Sequence, residues 1–316
     1  MTMNWFDCFK KPLAAAFLDA KHEIAGFPSP LNSIGLSYAD KFDPLAPGGG
    51  KDYICVLLPY WMKEAVQLTD RQCRSLVLAN IYGMLYFFIQ DDAMDDGRSV
   101  SKEQLALANL LHLKMLSALR ELFPSESPFW PYFESYVATW ADSVVNENKL
   151  DYFNTNRMMT AGKAAPVKIA STGACLLAGR KERISAYENA VDIALMTLQM
   201  LDDWSDWKED LENGSYNGLL AMIAKERSET AGIPIAISDL KKPDVETSLF
   251  VLGIMDRYAA IAHRSHQTLL ELPFLSSHLA DYHSYMAGSI ADMAQNIRLN
   301  KQKRLGGGIN FLQKLR

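Results

Sequence analysis

The sixteen residues from Ser75 to Gln90 carry no charge, and a dense acidic cluster, Asp91, Asp92, Asp95 and Asp96, follows at once. Thr69 and Gln72 open the stretch in the spacing of a capping box, so it reads as a helix apolar around almost its whole circumference. It falls short of the roughly 20 apolar residues that a membrane-spanning helix needs. Such a helix must find its cover within the chain. The remaining sequence supplies more helices for that purpose. Ser101 and Gln104 form a second capping box, with leucines running to Leu122. Pro131–Leu150, Gly162–Leu177, Arg183–Leu211, Glu246–Leu272 and Ser277–Asn300 follow the helical period, and no set of alternating strands is found. The pattern predicts an all-α fold, one large helical bundle around a central cavity.

At 316 residues the chain has room for two domains. The only Pro/Gly-rich breaks, Phe27–Leu31 and Pro44–Gly50, lie near the start, so a single domain over 1–316 is expected. Residues 1–50 form its N-terminal segment, and 304–316, with Gly306, Gly307 and Gly308, a flexible tail. A net charge of −5 gives no general attraction for nucleic acid or an anionic membrane. The four cysteines are scattered and no basic-then-apolar leader opens the chain, which points to a reducing, cytoplasmic setting. The six histidines are also scattered. His263 and His266 stand three apart, but no acidic motif completes a zinc set, and surface or capping roles are expected.

Chemistry concentrates in two acidic clusters. Asp91 and Asp95 project from one helix face and, with Asp92, repel one another by a few tenths of a kcal/mol per pair. A second cluster sets Asp202, Asp206 and Asp210 along two helical turns, again after an apolar run. Hard oxygen donors without adjacent His or Cys suit Mg²⁺, which accepts phosphate oxygens to complete its shell. Together the clusters have the ligands for several Mg²⁺ ions around one diphosphate. The plain alternative is a solvated acidic face, with Lys208 pairing locally. Neither cluster has the Gly and Glu of an EF-hand loop, and no P-loop, GxGxxG or GxSxG is present.

At these residues the chain resembles the class I isoprenoid synthase superfamily, which includes trans-prenyltransferases and class I terpene synthases. Asp91-Asp92-Ala93-Met94-Asp95 matches the DDxxD motif. Gln199 with Asp202, Asp203 and Asp206 is similar to the second prenyltransferase motif. Asp202 through Asp210, followed by Gly214 and Asn217, is similar to the metal triad of terpene synthases, with Asp206 in place of Ser or Thr and Asp210 in place of Glu. Arg157-Met158-Met159-Thr160-Ala161-Gly162 resembles the RxxTxG stretch of microbial terpene synthases and lies at a similar spacing before Asp202. On the prenyltransferase side, Gly48-Gly49-Gly50-Lys51 looks like the start of a GGKRxRP motif. There Asp52 and Tyr53 replace the expected Arg, and only Arg98 remains of the usual pair after the first cluster.

The resemblance implies a class I terpene synthase that ionises an allylic isoprenyl diphosphate, C15–C20, and cyclises the cation. It implies Mg²⁺, three ions in the related enzymes and replaceable by Mn²⁺, on Asp91, Asp92, Asp95, Asp202, Asp206 and Asp210. Arg157 would sense the diphosphate, with Lys168, Lys208 and Arg298 as further cations, Arg298 standing in for an absent C-terminal Arg-Tyr pair. Tyr86, Phe87, Trp61 and Trp204 are candidates to line a dry cavity and hold a carbocation by cation–π attraction, though such residues are usually core. Homodimers are common among related folds. The rival readings are a trans-prenyltransferase that adds isopentenyl diphosphate and a non-catalytic isoprenoid-diphosphate-binding partner subunit.

Overall fold

The computed structural model describes residues 3–50, 52–95 and 101–314, and side chains among these except Asp95 and 304–314. Fourteen α-helices and no strand are found among the described residues. In order they are α1 Asn4–Asp7, α2 Lys10–Ala25, α3 Leu31–Lys41, α4 Tyr53–Val66, α5 Asp70–Asp95, α6 Lys102–Leu122 and α7 Phe129–Asn146. Then come α8 Tyr152–Thr155, α9 Lys168–Leu177, α10 Ile184–Asn213, α11 Gly218–Ala231, α12 Lys242–Phe250, α13 Ile254–Leu270 and α14 Ser277–Lys314. No helix among the described residues is long and apolar enough to cross a membrane.

The residues group into two compact units. One comprises Met1–Ala138, Ala165–Asn189 and Phe274–Leu279, the other Thr139–Ala164, Ala190–Pro273 and Ala280–Arg316. In the first unit α5 is the central rod. Leu76, Val77, Ile81, Leu85 and Ile89 are fully buried, and α6 meets it with Leu107, Leu111, Met115 and Leu119. Gly83 lets Met115 come close, because a Cβ there would stand 2.9 Å from its sulfur. Both capping boxes form: Gln72 N donates to Thr69 Oγ1 at 3.3 Å, and Gln104 N to Ser101 Oγ at 3.2 Å. Trp61 is fully buried and donates its indole N–H to the Trp5 carbonyl at 2.9 Å. In the second unit, Phe153, Met196, Met200, Trp207, Leu220 and Tyr258 belong to one apolar core shared by α10, α11, α12, α13 and α14.

Several helix boundaries differ from those expected. The stretch expected to begin a helix at Gly162 is a 3₁₀ segment over Arg157–Val167, and the α-helix starts only at Lys168. Pro166 offers no N–H to an α ladder, and Ala164 leaves helical dihedrals at φ −115°. The single helix expected over Glu246–Leu272 is interrupted after Phe250, where Gly253 turns the chain at φ 74°. Helix α14 continues past Asn300 to Lys314. The N-terminal segment folds into helices of its own, α2 and α3.

Candidate functional site

In the first unit, Asp91 and Asp92 sit half-buried at the C-terminal end of α5. Carboxylates at this end face the negative pole of the helix dipole as well as one another, an arrangement that raises the local energy until a cation arrives. Helix α3 reaches the cluster through Tyr38, whose hydroxyl donates to Asp92 Oδ2 at 3.2 Å. Burial and the two carboxylates hold that hydroxyl far above the usual tyrosine range, so it remains a donor. An open surface pocket of about 410 Å³ on α3, lined by Ser33, Ser37, Tyr38 and Lys41, lies on the same residue. Phe42 backs the arrangement with its ring 4.7 Å from that of Phe88. The Asp95 side chain, Asp96, Arg98 and Lys51 lie outside the described residues.

The other candidates in this unit separate. Tyr86 and Phe87 are half-buried with ring centroids 4.9 Å apart, and His112 stacks on Tyr86 at 4.6 Å. Trp61 is a core residue, locked against Trp5. Lys168 opens α9 with its ammonium 5.2 Å from the Tyr136 ring.

The second cluster divides along the faces of α10. Asp202 and Asp206 point to solvent, and Asp210 is half-buried. On the adjacent face Asp203 and Trp207, four apart, are buried. Asp203 is held by the Gln199 amide at 3.1 Å and by the Gly218 N–H at 3.1 Å. Burial raises its carboxyl to about 7. Asn217 joins this region to α11. Its amide donates to the Asp203 carbonyl and to Asp210 Oδ2, both at 2.8 Å, while its oxygen caps α11 by accepting from Leu219 N and Leu220 N. Gly218 must be glycine, since a Cβ there would lie 2.6 Å from Phe153 and 2.7 Å from Asp203 Oδ2.

The RxxTxG stretch is ordered within the same unit. Arg157 is half-buried with its guanidinium 4.5 Å from the Phe153 ring. Its Nε is buried without a partner. Burial first, then the field of Arg264, lowers its affinity for its proton; among the described residues only the hydroxyls of Tyr258 and Tyr216 act the other way, and no carboxylate does. Thr160 donates to the Arg157 carbonyl at 2.8 Å. A Cβ on Gly162 would fall 2.1 Å from Ser143 Oγ, so the small residue is required by the approach of α7. Lys163 pairs with Glu147, and both act on Asp210, Lys163 favouring its charge and Glu147 opposing it. The buried Tyr258 hydroxyl donates to the Met200 carbonyl at 3.1 Å and feels the charges of Asp203, Arg157 and Asp202.

Three further candidates have local roles. Lys208 is exposed, 5.5 Å from the Trp207 ring. Trp204 packs half-buried against the core of its unit. Arg298 pairs with Asp256 at 3.3 Å on an exposed face. The expectation of surface or capping histidines fails at His283, which is completely buried. Sequence reasoning passed over Tyr38, Glu147 and Arg264. None has a spacing signal, because each meets the site from an element distant in sequence.

The donor chemistry of Asp91, Asp92, Asp202, Asp206 and Asp210 fits Mg²⁺: all are carboxylate oxygens, and Asp202 and Asp206 open to solvent where water and phosphate complete a shell. Among the described residues no group of three or more His, Cys, Asp or Glu is gathered tightly enough to hold a metal ion unaided. No family model matches the chain, and no curated protein matches its sequence.

Proposed function

We propose that the protein is a class I terpene synthase: it ionises an allylic isoprenyl diphosphate, C15–C20, and cyclises the resulting cation. The observation that carries the reading is Arg157, a half-buried cation on which no carboxylate among the described residues acts, in the same unit as an acidic stripe suited to Mg²⁺. A guanidinium whose charge is not spent on an internal partner offers charge-assisted hydrogen bonds to an anion. Diphosphate is the anion that both carboxylate-held Mg²⁺ and arginine bind.

Bound Mg²⁺ supplies Lewis-acid neutralisation of the diphosphate. The C1–O bond then breaks heterolytically, and its electron pair leaves with the bridging oxygen. Arg157 donates to the departing oxygens as their charge grows, which lowers the barrier electrostatically. Phe153 keeps the guanidinium in place, and Thr160 fixes the turn from which it projects. A dry, aromatic-lined cavity would exclude water and stabilise the positive charge. No protein nucleophile is required to start the reaction.

The test is incubation with Mg²⁺ and each of the C10, C15, C20 and C25 diphosphates, with and without isopentenyl diphosphate. A hydrocarbon or alcohol from one substrate supports cyclisation. A longer diphosphate formed only from both substrates supports chain elongation instead. Arg157→Ala is expected to lower single-substrate turnover at least ~100-fold, the scale of one lost transition-state donor. Mg²⁺ with diphosphate should raise the melting temperature well beyond either alone. Equal shifts with Mg²⁺ alone, and no product from any substrate, would sink the reading.

A further inference from the structure

His283, fully buried on α14, and His266, half-buried on α13, stack with centroids 5.2 Å apart and planes 7° from parallel. Their Nδ1 atoms are 3.1 Å apart, and His283 Nε2 lies 2.9 Å from Thr197 Oγ1 on α10. The hydrogen-bond directions follow from one another. Thr197 gives its only hydroxyl proton to the Ile193 carbonyl at 3.1 Å, so it must accept from His283 Nε2–H. The neutral His283 ring then has a bare Nδ1, which accepts from His266 Nδ1–H. His266 Nε2 is left with a lone pair.

Proton capacity follows from this chain of bonds. A first added proton goes to His266 Nε2 and disturbs no bond. A second has only His283 Nδ1 to occupy, where it would face the His266 Nδ1–H donor at 3.1 Å and make two stacked cations. Among the described residues the Ile193 carbonyl alone favours that charge, and burial and the neighbouring ring outweigh it. On α10 the groups at the pair are the Thr197 hydroxyl and the Ile193 carbonyl, and on α13, which also carries Asp256, Arg257, Tyr258 and Arg264, the group that acts on His266 is His263, itself a cation when protonated. No carboxylate among the described residues acts on either ring.

We propose that the His266–His283 pair is an acid-sensitive latch, closing α13 and α14 onto α10 while it carries at most one added proton and opening when the second ring charges. The latched segment of α10 ends at Thr197, about 1.4 helical turns before Asp202, so opening loosens the approach to the second acidic cluster. Burial and the neighbouring ring bring His283 down to about 4 from an ordinary 6.5. A base depressed on folding supports stability above its ordinary value and loses that support as pH falls towards the folded value. The inference goes beyond the proposed activity and does not depend on it.

The test is nitrogen-edited NMR of the imidazoles in the full chain from pH 7.5 to 4, with amide hydrogen exchange followed in parallel. At pH 7.5 His283 should be the Nε2–H tautomer and His266 the Nδ1–H tautomer. Acidification should protonate His266 Nε2 with amide protection intact. His283 should titrate only as protection around Thr197 and on α14 falls at least tenfold. His266→Gln keeps a donor for His283 but never charges, so it should move the opening to lower pH by about one unit. Reversed tautomers, protonation of His283 with protection intact, or an unchanged opening pH in His266→Gln would each overturn the latch.

Discussion

The two acidic clusters share an Asp-Asp-x-x-Asp pattern and a preceding apolar run, yet the chain supports them differently. On α5 the carboxylates crowd the last turn, with Tyr38 donating to Asp92 across from α3. On α10 the cluster lies well inside the element's length, and one of its carboxylates, Asp203, faces inward to bind Gln199 and Gly218. Asn217 then ties the cluster to the start of α11. The first cluster is a set of charges at a helix end. The second includes an interior strut. One sequence pattern therefore marks two mechanical roles, and substitution should separate them.

The largest contrast is expected in catalysis. Asp91→Ala and Asp202→Ala should each abolish Mg²⁺-dependent turnover, by ~10³-fold or more, while metal-free melting stays level or rises slightly as repulsion is relieved. A variant that melts far lower and still turns over would show that its cluster is structural.

Stability comes next. Asn217→Ala removes a helix cap and the bonds that tie α11 to the Asp203 carbonyl and to Asp210, and should cost roughly 1–3 kcal/mol in urea unfolding. A loss below about 0.5 kcal/mol would deny the bracket any mechanical role.

The Asp203 strut has a pH signature. Its carboxyl ionises near 3.8 in the unfolded chain and near 7 when folded. The folded state must hold a proton that the unfolded chain releases, so this group's support is complete below about pH 4 and is lost as pH rises through 7. Asp203→Asn should leave melting unchanged at pH 4 and raise it by a few degrees at pH 7.5. A gain equal at both pH values would place the effect elsewhere.

The smallest effect belongs to the first cluster. Tyr38→Phe deletes one half-buried hydrogen bond to Asp92 and should cost about 0.5–1.5 kcal/mol. A cost like that of Asn217→Ala would erase the distinction between the clusters.

Much of this was legible in the sequence. The capping boxes at Thr69 and Ser101 and the uncharged run on α5 fixed helices that the structure retains. The i, i+4, i+8 rule put Asp202, Asp206 and Asp210 on one stripe. Periodicity alone did not show that Asp203, one residue from that stripe, is buried: Gln199 meets it locally on α10, but Gly218 reaches it only after α11 has folded back. Tyr38 and Arg264 were silent for the same reason: tertiary proximity has no spacing. The 3₁₀ course after Arg157 was misread as α-helix because Gly162–Leu177 has suitable small and apolar residues, while Pro166 forbids the ladder there.

That 3₁₀ course sets a rotational phase. At three residues per turn, positions three apart eclipse, so Arg157, Thr160 and Lys163 form one column before the chain leaves helical dihedrals at Ala164. At 3.6 residues per turn the same six steps from Arg157 to Lys163 would swing the two cations apart by about 120°. The 3₁₀ winding therefore sets where the two cations point: the same residues wound as an α-helix would keep every charge, yet aim Arg157 and Lys163 in different directions.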